Sequence, residues 1–92
     1  MLMKTENIAK TFPLSMAGEG DWVKIDTVIG GKNVIKRLIT IGLIEDIELQ
    51  VVQRQKGSGL VVARGGTRLA LGLGMANKIM VVAIKENKND EE

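Results

Sequence analysis

The chain of 92 residues is 45% hydrophobic and 2% aromatic, carries 13 Lys/Arg against 11 Asp/Glu, and contains no Cys and no His. The length fits one small domain, and the missing residue types exclude disulfides, thiolate metal sites and any Ser-His or Cys-His nucleophile. Residues 1–85 hold 12 cations against 7 carboxylates and residues 86–92 hold one against four, so a basic body, suited to an acidic protein, nucleic acid or an anionic membrane surface, precedes an acidic tail.

Residues 1–12 are polar, weakly patterned and expected to be flexible. The start has no apolar signal-peptide core, and no stretch approaches the roughly 20 apolar residues that span a bilayer. A cytoplasmic protein is expected, meeting a membrane only through a partner. Pro13-Leu14-Ser15-Met16-Ala17 predicts a turn or one helical turn, ended by Gly18 and Gly20. From Trp22 to Ile29, Val23, Ile25 and Ile29 share one face against Lys24 and Asp26, the period of a strand buried on one side. Gly30-Gly31 breaks it.

Asn33 is a candidate cap for a helix over 34–41. Val34, Leu38 and Ile41 stand at i, i+4 and i+7, Ile35 and Ile39 widen that stripe, and Lys36, Arg37 and Thr40 face outward. Gly42 suits the left-handed residue beyond a helix end. The high β-branched content keeps a strand over 34–41 open as an alternative. A second strand is predicted from Ile47 to Arg54, where the Val51-Val52 doublet interrupts the alternation and marks a bulge. Lys56-Gly57-Ser58-Gly59 is a hairpin turn, Leu60 to Arg64 a third strand, and Gly65-Gly66 a two-residue turn that needs positive φ. Thr67 to Leu71 is a fourth strand. Gly72 to Ala76 fits a short 3₁₀ or helical turn.

The last strand, Lys78 to Ile84, is apolar on both faces. One face can line the interior, and the other needs the helix, the N-terminal segment or another subunit over it. Five short strands with tight glycine turns and one helix predict a mostly β fold. The expected form is a small, partly open SH3-like barrel over residues 13–85, with a short helical insertion after the first strand. Residues 86–92 read as a disordered acidic tail.

The glycine clusters at 30–31, 57–59, 65–66 and 72–74 contain no G-x-x-x-x-G-K-[ST] and no third glycine of a dinucleotide fingerprint, so they are turn glycines. Asp21, Asp26, Glu45, Asp46 and Glu48 are the available hard ligands or acid–base groups. Without an organising motif they read as solvated surface. Met75 and Met80 are soft ligands in principle, but their positions fit core or interface. No catalytic residue, metal ligand or cofactor is assigned, and any contact with Fe²⁺ or another divalent metal is expected to be weak and transient. Gly20-Asp21-Trp22-Val23-Lys24-Ile25 resembles the first strand of KOW-type barrels that bind ribosomal RNA. Phe12 and Trp22 alone, however, make a poor stacking platform.

A more extensive resemblance runs from Pro13 to Val82. Its elements are Pro13-Leu14-Ser15 before a glycine, Val23-x-Ile25, Arg37-Leu38-x-x-x-Gly42-Leu43, Ile47-x-Leu49, Arg68-x-Ala70-Leu71-Gly72 and Ala76-x-x-Ile79-x-Val81. In order and spacing these resemble the FeoA family of bacterial ferrous-iron transport. Two features depart from it: Ile44-Glu45 stands where the family often has proline and glycine, and both termini are extended. The resemblance implies an SH3-like domain without catalysis, supporting a membrane ferrous-iron permease that carries a cytoplasmic GTPase domain. It also implies likeness to the C-terminal barrel of iron-dependent repressors, here without a preceding helix-turn-helix.

Two surfaces are singled out for binding. Lys36, Arg37, Arg64 and Arg68 are expected to form a basic face for an acidic partner. Leu71, Leu73, Met75, Met80 and Val82 are the candidates for self-association into a homo-oligomer. An RNA-binding barrel and a repressor-type regulatory module are the alternatives to the accessory role.

Overall fold

The computed structural model describes residues 10–84. The acidic tail and most of the N-terminal segment lie outside them. Six strands form one antiparallel sheet: β1 (Phe12–Pro13), β2 (Trp22–Val28), β3 (Glu48–Gln55), β4 (Gly59–Arg64), β5 (Thr67–Gly72) and β6 (Ile79–Ala83). Helix α1 spans Lys32–Thr40, helix α2 spans Leu73–Ala76, and a 3₁₀ turn covers Leu14–Met16. The strand order is β1-β6-β2-β3-β4-β5. This is the mostly β, SH3-like architecture read from the sequence, with α1 inserted after the first long strand. The additional strand is β1, whose Phe12 and Pro13 pair with Val81 and Met80.

Alternate residues of the long strands fill the core: Val23 and Ile25, Leu49 and Val51, Leu60 and Val62, Leu71, Ile79 and Val81. Leu14, Ala17, Leu38, Leu43 and Ala76 close it from the turns and helices. Each fully buried Val, Leu or Ile contributes about 1.5–3 kcal/mol. Helix α1 commits only Leu38 to the fully buried set, with Val34 packed beside it. Its attachment is therefore much weaker than that of any central strand.

Two bulges reset which side chains point inward. The pairing of β2 with β6 shifts register between Ile25 and Thr27. Beyond that shift Val28 packs on the core and Ile29 is 56% exposed, the reverse of the sequence alternation. One extra residue moves every later side chain to the opposite face. The second bulge lies between Val51 and Gln53 on β3, at the valine doublet that predicted it.

The side-chain ties join the sheet to its connecting turns. Arg54 Nη1 donates to the carbonyls of Ser15 at 2.8 Å and Ala17 at 2.6 Å, and the Arg54 N–H donates to the Glu19 carboxylate at 2.8 Å. The buried Ser15 hydroxyl donates to the Asn77 side-chain oxygen. These bonds fasten the 3₁₀ turn to β3 and to the residue after α2. The β4–β5 hairpin turns at Gly65-Gly66, where Gly65 has φ 61°. That value at the first central position suits a type II′ turn.

Candidate functional site: the uncovered helix

Helix α1 starts earlier than the sequence suggested. Its N-cap is Gly31, without a side-chain cap bond. The Gly31 carbonyl already accepts from Val34 at 3.1 Å and Ile35 at 3.2 Å. Asn33 is thus inside the first turn, and the backbone carbonyl takes over the role assigned to it. The strand alternative for 34–41 is excluded by the helix itself.

The C-terminus of α1 follows the sequence closely. Leu43 N–H donates to the Leu38 carbonyl at 2.8 Å and Gly42 N–H to that of Ile39 at 3.0 Å. Gly42 has φ 86°. Together these are the two bonds of a Schellman motif, with Leu38 and Leu43 as its apolar pair. Both leucines are buried.

The motif leaves much of the apolar helix surface outside. Ile35, Ile39 and Ile44 are 38%, 56% and 45% exposed, and Ile41 is also exposed. The stripe that Ile35 and Ile39 were expected to widen is therefore wider than the surface α1 covers. Between this helix and β2 lies a groove of about 540 Å³. Val28, Ile35, Leu38, Ile39, Leu43 and Ile44 supply its apolar lining, Thr27 a hydroxyl-bearing wall, and Glu45 and Asp46 its acidic rim. Asp46 sits at φ 73°, and its N–H donates to the Ile25 carbonyl at 2.8 Å. A second, smaller cleft of about 170 Å³ lies between α1 and β5.

The four cations proposed as one basic face are distributed around α1. Lys36 and Arg37 are exposed on the helix, and Arg37 lines the smaller cleft. Arg64 lies over Gly42: a Cβ built there would stand 2.7 Å from Arg64 Nη2 and 3.0 Å from Nε. The buried Nε has no hydrogen-bond partner. Arg68 pairs with Ala63, whereas Arg64 pairs with Thr67. Opposed residues share a face, so Arg64 and Arg68 stand on opposite faces of the hairpin.

The proposed self-association residues are largely enclosed. Leu71 is buried, while Leu73, Met75, Met80 and Val82 are half-buried. Met75 packs on the core, and β6 lies between β1 and β2. The large exposed apolar residues instead include the α1 isoleucines, which sequence reasoning placed in the core. The available signal was their number: a nine-residue helix with Val34, Ile35, Leu38 and Ile39 has more apolar width than one contact face needs.

Among the described residues no group of three or more Asp, Glu, His or Cys could hold a metal ion. Asp21 has a local role, accepting the Gly18 N–H at 2.8 Å. No helix among the described residues is long and apolar enough to cross a membrane. What the site offers is an apolar surface flanked by charge of both signs, which is equipment for binding.

The family model described as the FeoA domain matches residues 12–83. Over 70 residues the chain is 33% identical to a Methanocaldococcus jannaschii protein assigned by name to Fe(2+) transport, as transport protein A, covering 76% of this chain and 84% of the relative. The crystal structure of an iron uptake regulatory protein, FeoA, is similar at a TM-score of 0.76 and 31% identity, over 82% of this chain and 100% of that one. A manganese-dependent transcriptional repressor shares the fold at a TM-score of 0.77 and 22% identity, over 84% of this chain and 44% of the repressor. The family match takes in all six strands and both helices, and the archaeal relative spans most of the same length; this chain belongs to the FeoA family.

Proposed function

We propose that this chain is a non-catalytic accessory module of ferrous-iron uptake. It docks through α1 onto the membrane ferrous-iron permease, in contact with the permease's cytoplasmic GTPase domain. The observation that carries this reading is the uncovered isoleucine surface of α1 beside a groove rimmed by Glu45 and Asp46. Contiguous exposed apolar residues with a polar border mark sites of protein association. The FeoA family match and the Fe(2+)-transport relative supply the iron-uptake context. The RNA alternative has less support, since Phe12 packs on the core and leaves Trp22 as the exposed aromatic.

The test is co-purification with the detergent-solubilised permease from the same genome, with its soluble GTPase domain assayed separately. Ile39→Ser removes apolar area that the complex would bury, and Arg37→Glu reverses the charge that α1 presents at the smaller cleft. Each is expected to weaken binding about tenfold, roughly 1.4 kcal/mol, with the fold intact. Failure of the wild-type chain to associate would refute the permease reading. Association that neither variant weakens would place the contact away from α1.

A further inference from the structure

Strand β5 ends the sheet, with β4 on one side and no strand on the other. The register decides which backbone groups this leaves open. Arg64 and Thr67 close the two-residue turn, and the pairing then runs through Ala63–Arg68, Val62–Leu69, Val61–Ala70 and Leu60–Leu71 without a shift. In such a hairpin the closing pair is hydrogen-bonded and the pairs alternate from there. Thr67, Leu69 and Leu71 therefore bond to β4, while the N–H and C=O of Arg68 and Ala70 point outward. Among the described residues no other backbone group bonds to either residue.

Edge strands are usually blunted by proline, a bulge, short length or a cover. β5 is six residues long, contains no proline and pairs with β4 without a bulge. Its outer side opens onto the smaller cleft. Arg37, Leu38 and Ile41 of the α1 region form one wall, and Ala70, Leu71 and Gly72 of β5 form the other, with Met75 beside them.

We propose that β5 receives an extended segment of a partner protein as a seventh strand, laid between β5 and α1, and that this segment is acidic. The inference deepens the docking reading and rests on it, but not on the identity of the permease. Outward N–H and C=O groups at alternate residues are complemented by another extended backbone. Ile41, 38% exposed, offers apolar surface to that segment's side chains. The charge favours carboxylates: Arg37 is the charged residue lining the cleft, and Arg68 is exposed on the edge itself. A second copy of the chain fits less well. Antiparallel pairing of two β5 strands about Ala70 would gather Arg37 and Arg68 of both copies along one seam, with no carboxylate lining the cleft to offset them.

The experiment pans a random dodecapeptide phage library on the immobilised full-length chain. Enriched peptides are then synthesised and titrated by fluorescence polarisation. Ala70→Pro removes an N–H that β4 does not use and puts a ring where the added strand would lie. The expected result is acidic peptides that bind this variant at least about tenfold more weakly than wild type. On wild-type protein, which needs no substitution, peptide binding is expected to slow hydrogen exchange at the Arg68 and Ala70 amides. Retained protection at Leu69 and Leu71 in the variant checks that the hairpin is intact.

No enrichment, equal binding to Ala70→Pro, or Arg68 and Ala70 amides that still exchange freely would each overturn the proposal. A mass that rises with concentration in wild type and not in Ala70→Pro would assign the edge to a second copy, which also overturns it. Peptide binding without permease association refutes the permease reading alone. Permease association lost in Ile39→Ser and unaffected by Ala70→Pro refutes the added strand alone.

Discussion

Replacing Gly42 by Ala tests the α1 terminus at one atom. Gly42 has φ 86°, and an L-residue held in the left-handed region costs about 1–2 kcal/mol. The new Cβ would also lie 2.7 Å from Arg64 Nη2 and 2.9 Å from Cζ. A guanidinium at the end of a flexible side chain can swing away, so this clash adds less than a backbone clash would, about 0.5–1 kcal/mol. In wild type the total is about 1.5–3 kcal/mol, and in an Arg64→Ala background only the backbone part remains. A domain of this size loses about 4–8 °C of Tm per kcal/mol. Thermal unfolding by circular dichroism across the four-member cycle reads both parts. A loss below about 0.5 kcal/mol in both backgrounds would show that residue 42 does not hold the left-handed conformation. An equal loss in both would show that Arg64 does not lie over it. Gly42→Asn, which tolerates positive φ better, is expected to fall between Gly and Ala in the Arg64→Ala background.

Leu38→Ala is expected to cost about 2–5 kcal/mol and to raise hydrogen exchange along α1 first, because Leu38 is that helix's fully buried anchor; urea unfolding and amide exchange read these separately. Ile39→Ser, at an exposed position of the same helix, is expected to shift stability by no more than about 0.5 kcal/mol, so a large loss in the urea midpoint would show that Ile39 is buried in solution. Arg54→Met keeps the alkyl stem and removes the donor to Ser15 and Ala17, and is expected to cost about 1–2 kcal/mol after allowance for its exposure. An unchanged urea midpoint at constant m would show that the 3₁₀ turn does not depend on those bonds.

The sheet was legible because its signals are local. Val23 and Ile25 on β2, and Leu49 and Val51 on β3, declare a period of two, and Gly65-Gly66 can do little but turn. The valine doublet betrayed its bulge for the same reason. The bulge near Asp26 left no such trace: the alternation continues through Ile29, and only pairing with β6 shows that Val28 has taken the inward place. Strand β1 was missed because two residues carry no period, and its existence depends on β6, far along the chain. The binding surface was partly legible. Arg37 was identified and does line a cleft, but the separation of Arg64 from Arg68 is a matter of register, which no single strand encodes.

The stretch Arg37-Leu38-x-x-x-Gly42-Leu43 can be resolved into separate physical tasks. Leu38 anchors the helix, Gly42 stops it in the left-handed conformation, and Leu43 returns the chain to the core against Leu38. Arg37 is left beside the β5 edge because it precedes the anchor by one residue, about 100° around the helix. A helix held by one fully buried leucine is an inefficient way to stabilise a barrel. As a way to hold exposed isoleucines over one groove and a cation over another it is economical, since the stop motif fixes the helix end without covering its sides. The same arrangement explains why Leu38 lines both recesses.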